Sequence, residues 1–88
     1  MKERSGPRQR ANRRKQKALI CLLRQVREEH GLPQAEVARK LGVQQSYVAK
    51  YESGERRLDL LELREVCEAV GVSIVEFVKR FEHELSVS

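Results

Sequence analysis

The sequence predicts an all-α domain of five helices, and three features carry that prediction. Beyond the basic first residues of the chain, apolar residues recur at three- and four-residue spacing, the period of one helix face, with no strand-like alternation. The first four periodic stretches each end at a glycine: Gly31, Gly42, Gly54 and Gly71. Two stretches open on a capping-box signature, Asp59 with Glu62 and Ser73 with Glu76.

The first helix is predicted from about Lys15 to His30, with Ile20, Leu23 and Val26 as its buried stripe. Leu22 and Cys21 add apolar surface that this stripe does not use. The second begins after Pro33 and runs from Gln34 to about Leu41, with Val37, Ala38 and Leu41 facing inward. The third covers about Gln45 to Ser53 and carries Val48 and Tyr51. A polar loop, Glu55-Arg56-Arg57, leads to the fourth, whose inner face is predicted as Leu60, Leu63, Val66, Cys67 and Val70. The fifth opens at Ser73 and runs to about Glu84.

Charge divides the chain. Residues 1–17 hold eight basic side chains (Lys2, Arg4, Arg8, Arg10, Arg13, Arg14, Lys15, Lys17) against one acid, Glu3, while the rest sums to −2 and the whole to +5. A segment this polar buries too little surface to offset its ordering entropy. Residues 1–16 therefore read as a disordered basic arm suited to tracking phosphates, and 17–85 as the folded domain.

Several classes are excluded. The longest apolar run, Ala18 to Leu23, is too short to cross a bilayer, so a soluble, cytoplasmic protein is expected. Cys21 and Cys67 have no histidine at metal spacing, which predicts reduced, small apolar side chains and no metal or cofactor. His30 and His83 lie at helix ends without partners, and no nucleophile–base or paired-carboxylate arrangement suggests an enzyme.

The informative spacing lies between helices two and three. Counted from Gln34, Ala38 is the fifth position, Gly42 the ninth, Val48 the fifteenth and Tyr51 the eighteenth. Two helices crossing steeply over a short turn need a small residue where they approach, which Ala38 supplies. The turn needs a residue with positive φ, which Gly42 adopts without strain. Val48 and Tyr51 anchor the third helix and leave Gln45, Ser46, Ala49 and Lys50 on its free face.

From Leu23 to Phe77 the stretch LRQVREEHGLPQAEVARKLGVQQSYVAKYESGERRLDLLELREVCEAVGVSIVEF resembles the Cro/C1-type (XRE-like) helix-turn-helix domains of lambda-type phage repressors. The resemblance implies a five-helix lambda repressor-like fold, with a helix-turn-helix at about 34–53 whose second helix enters the major groove. It places Gln45 at the family's base-reading glutamine position, with Ser46 and Lys50 beside it. A glutamine there can meet adenine through N6 and N7, and a lysine can meet guanine or a phosphate. Backbone-facing or less defined roles fall to Gln34, Gln44, Tyr47, Arg56 and Arg57. Arg27 and Glu52 match a family ion pair between helices one and three. Three positions depart from the family pattern. Gln44 and Pro33 replace the usual capping residues of helices three and two, and Leu58 replaces a proline before helix four.

Helix five continues past its core residues with Val78, Phe81 and Leu85, a candidate homodimer contact whose alternative is packing on the same core. The resulting expectation is a sequence-specific DNA-binding transcriptional regulator of bacterial or phage origin, a repressor or controller type, with double-stranded DNA as partner. The alternatives are an antitoxin that autoregulates its operon with a toxin as partner, and a coactivator-like nucleic-acid adaptor. RNA polymerase is a further candidate partner.

Overall fold

A computed structural model describes residues 6–87. Five helices follow one another: α1 (Pro7–Glu29), α2 (Gln34–Leu41), α3 (Gln45–Ser53), α4 (Leu60–Val70) and α5 (Ile74–Val87). No strand occurs among the described residues. α2 packs on α3 and α4, α1 packs on α3 and α5, and α4 closes against α5.

All five helices contribute to one core. α1 supplies Leu22, Leu23 and Val26, α2 Val37 and Ala38, and α3 Val48 and Tyr51. α4 adds Val66, Cys67 and Val70, and α5 adds Phe77. The Cys67 thiol is buried, which pushes its pKa up to about 11, whereas Cys21 is exposed; both are free.

Four details differ from the sequence reading. The first concerns the arm: α1 starts at Pro7, so residues 7–16, expected to be disordered, form its first turns without a break at residue 16. Pro7 sits in the opening turn after extended Gly6, where its missing N–H costs nothing. From Gln9 to Leu19 there is no glycine or β-branched residue, and Ala, Arg, Lys and Gln are strong helix formers. Extending a helix already anchored by its buried half avoids the nucleation cost. Residues 1–5 of the expected arm lie outside the described residues.

The second is Leu22, buried at 2% exposure. α1 touches α3 on one side and α5 on the other, so it buries two adjacent stripes rather than one. The third is Leu60, expected inside but 69% exposed. It is the first residue of α4 and faces solvent together with Leu61, and the inner face begins at Leu63. The fourth is α5, which runs on to Val87.

The helix starts obey local chemistry. Asp59 Oδ1 accepts the Glu62 N–H at 2.8 Å and Glu62 Oε1 accepts the Asp59 N–H at 2.9 Å, a closed capping box. At Ser73 the hydroxyl accepts the Glu76 N–H at 3.0 Å. Pro33 and Gln44 make no side-chain cap bond, so α2 and α3 open with their first N–H groups uncovered.

Candidate nucleic-acid interface

The turn between α2 and α3 sets the site. Ala38 is 2% exposed at the crossing of the two helices. Gly42 adopts φ +73°, and its N–H and that of Val43 bond back to the Arg39 carbonyl at 3.2 Å and the Ala38 carbonyl at 3.0 Å. These bonds close α2 and turn the chain into extended Gln44, after which α3 begins.

Val48 and Tyr51 fix α3 on the core, leaving Gln45, Ser46 and Lys50 exposed. Lys50 has no acidic partner among the described residues. Gln45 belongs to a chain of polar contacts that reaches the interior. Arg27 Nε donates to Glu52 Oε2 at 2.7 Å and Arg27 Nη2 to Glu52 Oε1 at 3.0 Å. Arg27 Nη1 donates to the Leu32 carbonyl at 2.8 Å, tying the α1–α2 loop to the same group. Gln34 Nε2 donates to Glu52 Oε1 at 3.0 Å, and Gln45 Nε2 donates to Gln34 Oε1 at a longer 3.4 Å.

The chemistry of these groups fixes the direction of every bond. A carboxylate accepts only, so Gln34 must turn its NH2 to Glu52 and its oxygen to Gln45. Gln45 must then offer an N–H to Gln34, which leaves its carboxamide oxygen and second N–H for an external partner. The ion pair is almost enclosed, with Arg27 and Glu52 side chains 10% and 4% exposed. The hydrogen bond to Glu52 raises the Arg27 pKa further.

The loop after α3 is divided in its roles. Arg56 Nη2 donates to Glu62 Oε2 at 2.6 Å, and its guanidinium lies 4.6 Å from the centre of the Tyr47 ring. Tyr47 in turn meets Tyr51 edge-on at 5.9 Å. Arg56 and Tyr47 therefore brace α3 against α4 from within the chain. Arg57 is exposed and has no acidic partner among the described residues.

On α5, Phe81 packs against the core, Leu85 is half-buried beside Ala18 and Cys21, and Val78 remains 40% exposed. His30 Nδ1 lies 2.9 Å from the Val26 carbonyl, and His83 is exposed. No cluster of three or more metal-binding side chains occurs among the described residues, nor is any of their helices long and apolar enough to cross a membrane.

Two features escape the sequence reading. One is the Gln34–Glu52 bond, for which the pattern of residues gives no signal. The other is the helical placement of the basic side chains already visible in the sequence, which sets Arg8, Arg13, Arg14 and Lys17 alongside Gly54 and Arg57. The missing helix breaker between Pro7 and Ile20 is the signal that could have found it.

A helix-turn-helix family model matches residues 23–77, which includes the α2–α3 unit and the core residues around it. The chain belongs to the helix-turn-helix family, of the XRE type. It is 42% identical over 53 residues to an uncharacterized HTH-type transcriptional regulator, y4dJ, of Sinorhizobium fredii (strain NBRC 101917 / NGR234). That match covers 60% of this chain and 69% of the relative. An XRE-family like protein from Pseudomonas syringae pv. tomato str. DC3000 has the same fold at TM-score 0.86 and 32% identity, covering 91% of this chain and 98% of the other. The wild-type restriction-modification controller protein C.Esp1396I superposes at TM-score 0.75 and 22% identity, covering 81% and 93%. This controller has also been solved as a tetramer with its natural 35 base-pair operator. As an XRE-type helix-turn-helix protein, the chain carries its two glutamines, Gln34 and Gln45, at the first positions of α2 and α3.

Proposed function

We propose that this protein is a sequence-specific DNA-binding transcriptional regulator, of repressor or controller type, that reads the major groove with α3. The observation that carries the reading is the oriented glutamine pair. The buried Glu52 carboxylate sets the amide of Gln34, and Gln34 sets that of Gln45. The free oxygen and N–H of Gln45 then complement the N6 donor and N7 acceptor of adenine in the major groove. Ser46 and Lys50 share that exposed surface, and Lys50 is free to meet guanine or a phosphate.

The backbone N–H of Gln34, uncovered at the start of α2, is suited to a phosphate at the positive end of that helix. Arg57 offers a second phosphate contact, while Arg56 holds the loop in place. Two copies joined through α5 would present two α3 helices to an inverted repeat, with half-sites about 34 Å apart. Exposed Val75 and Val78 support that contact, and the controller protein's assembly on its operator is a precedent within the fold.

Selection from a random duplex library tests the reading. The expected result is an enriched inverted repeat that Gln45→Ala with Lys50→Ala fails to enrich. Enrichment of the same repeat by the double variant would show that α3 does not read it.

A further inference from the structure

We infer that the cleft between the first turns of α1 and the α3–α4 loop is a rail for the sugar–phosphate backbone flanking the bases read by α3. The inference rests on the DNA-binding reading above. It starts from where the free cations are. Between residues 18 and 87, Arg24, Arg27, Arg39, Arg56, Arg64, Lys79 and Arg80 are all engaged with carboxylates of the same chain. Lys40, Lys50 and Arg57 are left unpaired in that region, which carries a net charge of −2. Taken as a whole, the domain body would repel a polyanion.

The first half of α1 reverses that field at a defined place. One end of the cleft is lined by Arg8, Gln9, Asn12, Arg13 and Arg57. The other continues past Arg13, Arg14 and Lys17 to Gly54 and Arg57. Among the described residues no acidic side chain lines either end, and the cations on α1 there make no ion pair. Ile20 seats this part of α1 on the loop: a Cβ built on Gly54 would stand 3.3 Å from Ile20 Cδ1. A flexible tail would hold the same charges at undefined distances, whereas a helix fixes Arg8 and Arg13 beside Arg57.

Chemistry and dimensions favour a nucleic-acid backbone as the occupant. Guanidinium groups pair with phosphate in a two-pronged geometry, and the Gln9 and Asn12 amides add neutral donors. Residues 7–17 extend about 15 Å at about 1.5 Å per residue. That length faces several phosphates, which recur every ~3.4 Å of axis along one strand. The loop leads directly from α3, so the rail continues from the helix that carries Gln45 and Lys50.

The test compares the full chain with its Arg8→Gln/Arg13→Gln variant, which removes charge while keeping good helix formers. The probe is the duplex that the wild-type protein enriches, made with and without one further turn of DNA on each side. On the longer duplex the variant should lose affinity, with the slope of log K against log salt shallower by roughly 2, at about 0.9 per phosphate. It should enrich the same sequence as the wild type, and the two proteins should converge on the trimmed duplex. An unchanged slope on the longer duplex, with unchanged far-UV circular dichroism, overturns the rail. So does a variant that selects different bases. If the wild type enriches no sequence, the α3 reading fails by itself. The same two proteins on an unselected duplex then decide the rail, a shallower slope for the variant supporting it and equal slopes overturning it.

Discussion

Arg27 and Glu52 join α1 to α3 through a two-pronged ion pair, and the same carboxylate orients Gln34 on α2. One enclosed group therefore holds three helices and sets the polarity of the surface glutamines. Glu52→Gln should cost stability and DNA affinity together. It strands a guanidinium that is almost fully enclosed, a loss of about 3–5 kcal/mol in urea unfolding. Replacing both partners, Arg27→Met with Glu52→Leu, should recover most of the stability, since buried pairs add little over packed apolar groups. Affinity for the selected duplex should stay low, because Gln34 has lost the acceptor that orients it. Full recovery of binding would refute the orienting role.

Gln45→Ala should weaken binding to the selected duplex by about 1–3 kcal/mol, the usual worth of one good base contact. Gln34→Ala should cost less. If Gln34 acts by orienting Gln45, the two combined should fall short of their sum, since Gln34→Ala keeps the backbone N–H and removes only the side chain that Gln45 meets. A double-mutant cycle by fluorescence anisotropy measures that coupling, and strict additivity would mean that the glutamines act independently.

Gly42 and Gly54 both sit in left-handed conformations, at φ +73° and +87°, but their surroundings differ. A methyl group at Gly42 meets nothing within 4 Å, whereas at Gly54 it meets Ile20 Cδ1 at 3.3 Å. Gly42→Ala should thus cost only backbone strain, about 1 kcal/mol. Gly54→Ala should cost more, and Ile20→Val, which removes Cδ1, should narrow the gap. Equal costs at the two sites in urea unfolding would contradict this account of the α1–loop contact.

The parts of this fold visible in the sequence are those that local chemistry dictates. The Asp59–Glu62 box, the Gly42 turn and the Val48–Tyr51 anchor each follow from residue type and spacing, and α2 and α3 begin and end where that reasoning puts them. What escaped it depends on neighbours. Leu22 is inside because α1 packs against both α3 and α5, and Leu60 is outside because it opens α4 on the side away from the core. The helical start of α1 was hidden by its charge, which argued for disorder although its residues individually favour helix. Family resemblance could name Arg27, Glu52, Gln34 and Gln45, but the bonds linking them emerge only when α1, α2 and α3 are brought together.

Glu29 and Arg80 form a second two-pronged pair, at 2.8 and 2.5 Å, which clips α5 to the end of α1. The Arg80 guanidinium holds the Glu29 carboxyl at about 2, below its ordinary value of 4.5. A carboxylate whose pKa is lowered by folding adds stability above its unfolded pKa and loses it as pH falls toward the folded one. Wild-type protein should therefore exceed Glu29→Gln in melting temperature above about pH 5, with the difference shrinking toward pH 2. Because the pair is exposed, added salt should reduce the difference at neutral pH as well. A gap independent of both pH and salt would assign Glu29 a packing role instead.

The apolar stripe of α5 serves two surfaces, which separates the effects of its substitutions. Phe81 packs on the core of its own chain, while Val75 and Val78 are 61% and 40% exposed. If two copies meet through α5, Val78→Glu should give a folded monomer in sedimentation, with little change in melting temperature at low protein concentration. Its affinity for a full inverted repeat should fall steeply, and its affinity for an isolated half-site should stay close to wild type. Phe81→Glu should instead lower the melting temperature at every concentration, because the carboxylate is forced against the core. A Val78→Glu variant that remains dimeric would move the interface away from this face of α5. Exposed Leu60 and Leu61 at the start of α4 would then be the next apolar surface to test.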